Sequence, residues 1–411
     1  MINSQLLLYI DPGTGSMLFS IIIGATATLF FLLKAAFLKL KMLFSAKKGG
    51  DAVVDSKYHE YVIYNEGKQY WNVFKPVCDE FEKRKIEVTY FTSDKEDFCF
   101  KQNYNYVKPE IIGEGNKAFV TLNMISAKVV LMTTPGLQVY QMKRSKNVKH
   151  YAHILHAPND AIMYRLFGLD YFDSVLVNGD YQKEGIQAIE AQRDIKKKDI
   201  VTVGCPYLDV YKKNIESIPE EKNHPFTVLL SPSWGESGLL TRFGEKLLTP
   251  LAETGWRIIV RPHPQTVNYE PKLIENLQNK YKTFDNVQWD FERENIYSLK
   301  KADVMISDFS GIIYDYTFLC DKPVIYVKAG IDLRPYDAYD LKREHLWLFK
   351  SVEKFGTELK EDQFGDIKNF ISSISDNEEL AKARKQAKAE AWMYEGEAGK
   401  RVVDYLTSIE K

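Results

Sequence analysis

Residues 302–327 read ADVMISDFSGIIYDYTFLCDKPVIYV, and the fold turns on how this stretch is divided. A short apolar run, 304–306, ends in Ser307-Asp308. Phe309-Ser310-Gly311 then opens a segment with helical spacing at Ile312, Ile313, Tyr316 and Leu319, closed by Asp321-Lys322-Pro323 before a second apolar run. The pattern is strand, turn, helix, strand. In an open α/β sheet, ligands bind beyond the carboxyl ends of the strands, where a helix N-terminus offers unpaired N–H groups and partial positive charge. Ser310 has a hydroxyl to donate, Gly311 lets an anion approach the backbone, and Asp315, about one turn on, is placed to accept from hydroxyls. An ordinary N-cap followed by a first-turn acid has the same composition. The rest of the chain has to decide between the two.

Working back from this stretch, apolar runs at 226–230, 256–260 and 287–289 read as further strands separated by helical segments. The first runs into Ser231-Pro232-Ser233-Trp234, the second into Arg261-Pro262-His263-Pro264. A guanidinium and an imidazole on a loop held by two prolines suit a pyrophosphate, although a rigid turn whose arginine pairs with a surface acid has the same sequence. Further back, strands at 61–64, 87–91, 128–132, 151–155, 174–177 and 200–203 alternate with helical patterns such as Trp71, Phe74, Val77, Cys78 and Phe81. That rhythm means parallel sheets with helices on both faces. His156 stands at a strand's carboxyl end, where it can take a proton at neutral pH, and Pro158 and Asn159 fix its loop. His153, three residues earlier, is expected on the opposite sheet face.

The polar, proline-punctuated stretch 212–225 reads as a linker between a first domain, 58–212, and a second, 225–385. A helical tail, 386–411, is expected to brace the first domain. Charge is balanced, with 55 Lys and Arg against 56 Asp and Glu, which gives no sign of nucleic acid as a bulk partner. The four cysteines lie at irregular spacing, as in reduced thiols and unlike a disulfide framework or a zinc site.

At the amino terminus, residues 17–33 are apolar and uncharged. At about 1.5 Å per residue they reach about 25 Å, and Lys34 can snorkel so that the helix continues to about residue 38. Residues 1–45 thus read as an anchor with one transmembrane helix, about 17–38. Lys34, Lys39, Lys41, Lys47 and Lys48 follow the apolar core and no Lys or Arg precedes it, which puts the rest of the chain in the cytoplasm.

Together these segments resemble the CDP-glycerol glycerophosphotransferase family, which includes teichoic acid polymerases and primases. His156-Ala157-Pro158 is similar to the family's H-G-T-P, Ser231-Pro232-Ser233-Trp234 to its A-P-T-[FW], and Arg261-Pro262-His263-Pro264 to its R-P-H-P. The stretch from Ser307 to Asp315 is similar to its S-D-Y-S-S-x-x-x-D. Two departures stand out: Gly311 replaces the second serine, and Ala157-Pro158-Asn159 replaces G-T-P.

The resemblance implies an α/β, GT-B-like fold of two Rossmann-type domains facing a cleft. It implies transfer of a polyol phosphate, glycerol phosphate first, from a CDP-alcohol donor to a hydroxyl of a lipid-linked or surface-glycan acceptor, with release of CMP and no metal required. By position, His156 is the expected base, and His263 with Arg261 is expected to hold the pyrophosphate and help CMP leave. Ser231, Ser233, Ser307, Asp308, Ser310, Gly311 and Asp315 fall on the donor side, and Asn159 and Asp160 on the acceptor side. The setting expected is the cytoplasmic face of a bacterial membrane. Two alternatives stand beside this reading: a GT-B glycosyltransferase using a nucleotide sugar, and a non-catalytic membrane scaffold of a glycan-assembly complex.

Overall fold

The structure, a computed structural model, describes residues 33–34, 57–341, 346–374 and 378–410. The expected transmembrane helix lies outside these apart from Leu33 and Lys34. Among the described residues no helix is long and apolar enough to cross a membrane.

Among the described residues thirteen strands form two parallel sheets. The first holds β1 (Tyr58–Asn65), β2 (Val88–Thr92), β3 (Val107–Ile111), β4 (Ser126–Met132), β5 (Val148–Ile154), β6 (Ser174–Val177) and β7 (Asp199–Thr202), in the order β3-β2-β1-β4-β5-β6-β7. The second holds β8 (Thr227–Leu230), β9 (Arg257–Val260), β10 (Val287–Trp289), β11 (Val304–Ser307), β12 (Val324–Tyr326) and β13 (Gly356–Glu358), in the order β10-β9-β8-β11-β12-β13. Strand order reverses between β1 and β4 and again between β8 and β11. Those reversals open crevices at the carboxyl ends of the strands, where this class of sheet binds ligands. Central strands such as β2, β6, β8 and β11 are buried along their whole length, as covering both faces with helices requires.

Three features depart from the sequence expectation. Edge strands β3 and β13 were not foreseen, because an edge is half solvated and its residues (VKPEI and GTE) carry no apolar run. The helix Pro206–Ser217 extends past residue 212, into the stretch read as linker. It buries Leu208 and Ile215 on one face while its lysines occupy the other. The tail forms two helices, Glu378–Ala391 and Ala398–Ser408. The second inserts Val402, Val403 and Leu406 into the first domain's core beside Phe74 and Val77. Gly399 permits this approach: a Cβ there would lie 2.2 Å from the Pro76 carbonyl oxygen.

A separate apolar cluster crosses between the domains. Cys205, Leu208 and Ile215 pack with Ile313, Tyr314 and Trp392. The two sheets are therefore joined by a packed core as well as by chain connections.

Candidate active site

The first wall of the cleft is built at the ends of β4 and β5. His156 is half-buried there, its ring 5.1 Å from that of Tyr70. Its Nδ1 lies 3.0 Å from Thr133 Oγ1 and 3.0 Å from the Tyr164 hydroxyl. Its Nε2 has no partner among the described residues. The surrounding protein pushes the imidazole down to about 4, since burial penalises the cation. His153, fully buried, does not occupy an unrelated face: its Nε2 is 3.2 Å from the same Tyr164 hydroxyl. β5 ends at Ile154 and the chain then bends, so both rings converge on one hydroxyl. The 157–159 backbone is clamped from the next strand and helix. Asn178 Nδ2 donates to the Ala157 carbonyl, Tyr181 to that of Pro158 and Gln182 Nε2 to that of Asn159, at 2.8, 2.7 and 2.6 Å.

The facing wall is built at the ends of β8, β9 and β11. Asp308 is buried and acts as its fastener, accepting from the N–H groups of Ser233 (2.9 Å), Leu239 (3.3 Å) and Ser310 (3.1 Å). Burial raises its pKa above the usual carboxylate range, against the pull of these donors. Ser307 Oγ donates to the Ser231 carbonyl and Ser231 Oγ to the Arg261 carbonyl, which ties the three strand ends together. These residues shape the loop that carries Ser310 and Gly311. The Gly311 and Ile312 N–H groups at the start of the helix Ile312–Cys320 and the Ser310 hydroxyl have no partner among the described residues.

His263 Nδ1 accepts from the Gln265 N–H at 3.1 Å, capping the helix Pro264–Tyr269. A neutral imidazole that accepts at Nδ1 carries its proton on Nε2, so His263 presents a donor. Burial lowers its pKa and keeps it neutral. Trp234 stacks beside it, with ring centroids 6.3 Å apart. Arg261 has a different task from the phosphate contact its motif suggests. Its guanidinium donates to Asp290 Oδ2 (2.7 Å) and to the carbonyls of Glu292 (2.7 Å) and Arg293 (3.2 Å). It thereby fixes the loop from which Arg293 reaches across to the Lys68 carbonyl, at 2.7 Å. Asp315 is half-buried and bound by the Tyr207 hydroxyl and by Asn295 Nδ2 (3.1 Å), and burial pushes it up to about 6.

The two walls meet at Asn159 and Gly311. A Cβ built on Gly311 would lie 3.1 Å from both amide atoms of the Asn159 side chain. The two departures from the family pattern noted above thus face each other across the cleft. Next in the chain, Asp160 is buried and turned the other way. Its carboxylate accepts from the Trp347 and Leu348 N–H groups, at 2.9 and 2.8 Å, and so caps the helix Trp347–Phe355 of the second domain. Asp160 joins the domains, which leaves Asn159 as the polar side chain of this loop at the cleft.

The sequence profile of the CDP-glycerol:poly(glycerophosphate) glycerophosphotransferase family matches residues 42–408. The chain belongs to this family. It is a CDP-glycerol glycerophosphotransferase-like transferase. The solved structure of the wall teichoic acid polymerase TagF superimposes with a TM-score of 0.55 at 14% identity, over 94% of this chain and 97% of that one. UDP-GlcNAc 2-epimerase from Neisseria meningitidis, solved with UDP-GlcNAc bound, superimposes at 0.50 with 14% identity, over 85% of this chain and 100% of that one. At such identities the likeness is one of fold, two parallel α/β domains of the GT-B kind. No curated protein sequence matches the chain.

Several residues that build the transferase's cleft escaped the sequence reading. Thr133 stands in a strand-end segment, Thr133-Thr134-Pro135-Gly136, whose polar residues look aimed at a cleft in the sequence, though nothing there assigns Thr133 a role of its own. Tyr70, Tyr164, Gln182, Tyr207 and Asn295 lie in segments that read as ordinary loops and helices, and only the fold brings them to the histidine, the acid or, for Gln182, the loop backbone they touch.

Proposed function

We propose that this transferase moves glycerol phosphate from CDP-glycerol to a hydroxyl of a lipid-linked or cell-surface glycan acceptor and releases CMP, with His156 as the base. The single observation that carries the reading is the Asn159–Gly311 contact, which brings the loop that follows His156, on one domain, against the helix start with free N–H groups on the other.

In this reading the acceptor O–H gives its proton to His156 Nε2 as its oxygen attacks the phosphorus that bears glycerol. The bond from that phosphorus to the bridging oxygen breaks, and the electron pair leaves with CMP. Negative charge grows on the departing phosphate, where the His263 Nε2–H can donate. The amide-rich helix start and the Ser310 hydroxyl receive the oxygens of the transferred group. These groups neutralise charge without calling on a metal. A TagF histidine-to-asparagine variant soaked with CDPG is among the structures of this fold, which supports a CDP-linked donor here. The segment 17–38 would hold the catalytic domains at the cytoplasmic membrane face, where a lipid-linked acceptor is within reach.

The test is CMP release from CDP-glycerol by full-length protein in membranes that contain lipid-linked acceptors. CDP-ribitol and UDP-sugars serve as competing donors. Acceptor-dependent release with CDP-glycerol, lost in His156→Gln, is expected. Turnover of a UDP-sugar in its place would establish the glycosyltransferase alternative and overturn this reading.

A further inference from the structure

We propose that Thr133 is a positioning residue for this reaction, setting the tautomer of His156, with Tyr164 and His153 as its support; the inference rests on the reading of His156 as base. A neutral imidazole can act as a base at Nε2 only if its proton sits on Nδ1. In many hydrolytic sites a buried carboxylate imposes that arrangement. Here no carboxylate among the described residues touches Nδ1. Two hydroxyls do, those of Thr133 and Tyr164, and a hydroxyl can donate as well as accept. The tautomer then depends on where the hydroxyl protons point.

Thr133 settles it. Its Oγ1 is 2.7 Å from the Ile154 carbonyl oxygen, and since a carbonyl cannot donate, the Thr133 proton lies on that bond. Towards His156 the threonine oxygen therefore has lone pairs alone to offer. An unprotonated Nδ1 at 3.0 Å would set two lone pairs against each other in a buried site, whereas an Nδ1–H donates to the oxygen. Tyr164, at 3.0 Å from the same nitrogen, serves as a second acceptor with its own proton turned to His153 Nε2, 3.2 Å away. His153 gives Tyr164 somewhere other than His156 to place its proton. The outcome is a lone pair on Nε2, open to the cleft.

Thr133→Val has nearly the same shape and no acceptor. Tyr164 becomes the one hydroxyl left on Nδ1 and is free to donate to it, which moves the imidazole proton to Nε2. The measurement is the pair of imidazole ¹⁵N shifts in full-length protein labelled with [¹⁵N]histidine, with His156→Gln used to assign the resonance, alongside steady-state CMP release. Wild type is expected to show a protonated Nδ1. Thr133→Val is expected to shift towards Nε2–H and to lose about 100-fold in kcat with KM for CDP-glycerol unchanged within about twofold. Thr133→Ser should restore both. Tyr164→Phe, which leaves the threonine acceptor in place, should keep the Nδ1–H tautomer and serves as the second variant should Thr133→Val fail to fold. A wild-type His156 protonated on Nε2, or a Thr133→Val protein with unaltered tautomer and rate, would overturn the proposal. The ¹⁵N result stands whichever donor the enzyme uses, so failure of this inference and failure of the glycerol phosphate reading are told apart.

Discussion

In the proposed reaction, His263 and His156 would divide the acid and base work through their ring nitrogens. His263 accepts a backbone N–H at Nδ1 and so carries its proton outward on Nε2, whereas His156 is held by hydroxyls at Nδ1 and presents a lone pair. Replacing His263 by alanine removes one donor to the leaving phosphate, and kcat is expected to fall about 100-fold or more. His263→Gln, which keeps an N–H at similar reach, should lose less. If both variants release CMP at the wild-type rate, His263 is an ordinary helix cap. Because protein groups meet the charge in this reading, the rate is expected to survive dialysis against EDTA. An NMR titration should place the His156 imidazole near 4, well under the ordinary histidine value of about 6.5. The sign of its linkage to folding follows: its stabilising contribution is present above about 6.5 and is lost as pH falls towards 4, because the unfolded chain takes up the proton first. At this scale the sequence picked out residues that the fold brings to the two walls of the cleft, but not the direction of every side chain. Arg261 and Asp308 are spent on Asp290 and on the Ser233 backbone, partners at 29 and 75 residues' distance that no local motif contains.

At the scale of elements, Gly311 on the helix Ile312–Cys320 and Asn159 on the loop after β5 act as one unit. Gly311 has ordinary helical dihedrals, with φ −59°, so a serine there meets no backbone strain and its cost comes from the Asn159 amide alone. Gly311→Ser is expected to raise KM for CDP-glycerol by about tenfold, and adding Asn159→Ala should recover most of that, a coupling of about 1 kcal/mol. Strictly additive effects in the double-mutant cycle would show that the contact does not matter. The Asp160 cap on the helix Trp347–Phe355 gives a second expectation: Asp160→Asn keeps one good acceptor of two and should cost about 1–2 kcal/mol in urea unfolding. Burial pushes Asp160 up to about 6 from its usual 3.8, so its stabilising contribution is fully present below 3.8 and is lost as pH rises through about 6. The gap between wild type and Asp160→Asn should therefore narrow between pH 4 and 6, and a gap that widens would show that the two N–H donors outweigh burial and hold the carboxylate ionised. Elements were legible where burial was two-sided: runs such as VLL in β8 and VMI in β11 could be little else. Beyond them legibility failed, at edge strands with polar faces and at a helix whose lysines, on its solvated side, read as linker.

Across the whole molecule, the domains are held in register by a strap that leaves the second domain after β12 and lies on the first. Ala338 and Leu346 of the strap pack on Ile162 and Ile189, and a bridge pairs Arg165 with Tyr336. At its centre Arg193, largely buried, faces three carboxylates: Asp170 on its own domain at 3.0 Å, and Asp337 and Asp340 on the strap at 2.7 Å each. Removing the cation leaves three acids with little water to separate them. Arg193→Ala is expected to cost about 3 kcal/mol or more, seen as a lower unfolding midpoint. The consequence reaches the chemistry, because the Asp337 N–H donates to the Tyr164 carbonyl at 2.9 Å, and Tyr164 is one of the two hydroxyls on His156 Nδ1. A loosened strap should therefore lower kcat more than it raises KM for the donor, since it disturbs the base while sparing the donor wall at Ser310 and Gly311. Trypsin should also cut faster after Lys328, where the strap begins. If Arg193→Ala lowers the midpoint and speeds cleavage but leaves kcat intact, the strap fastens the domains without steadying the base, and the link through Tyr164 is the step that fails.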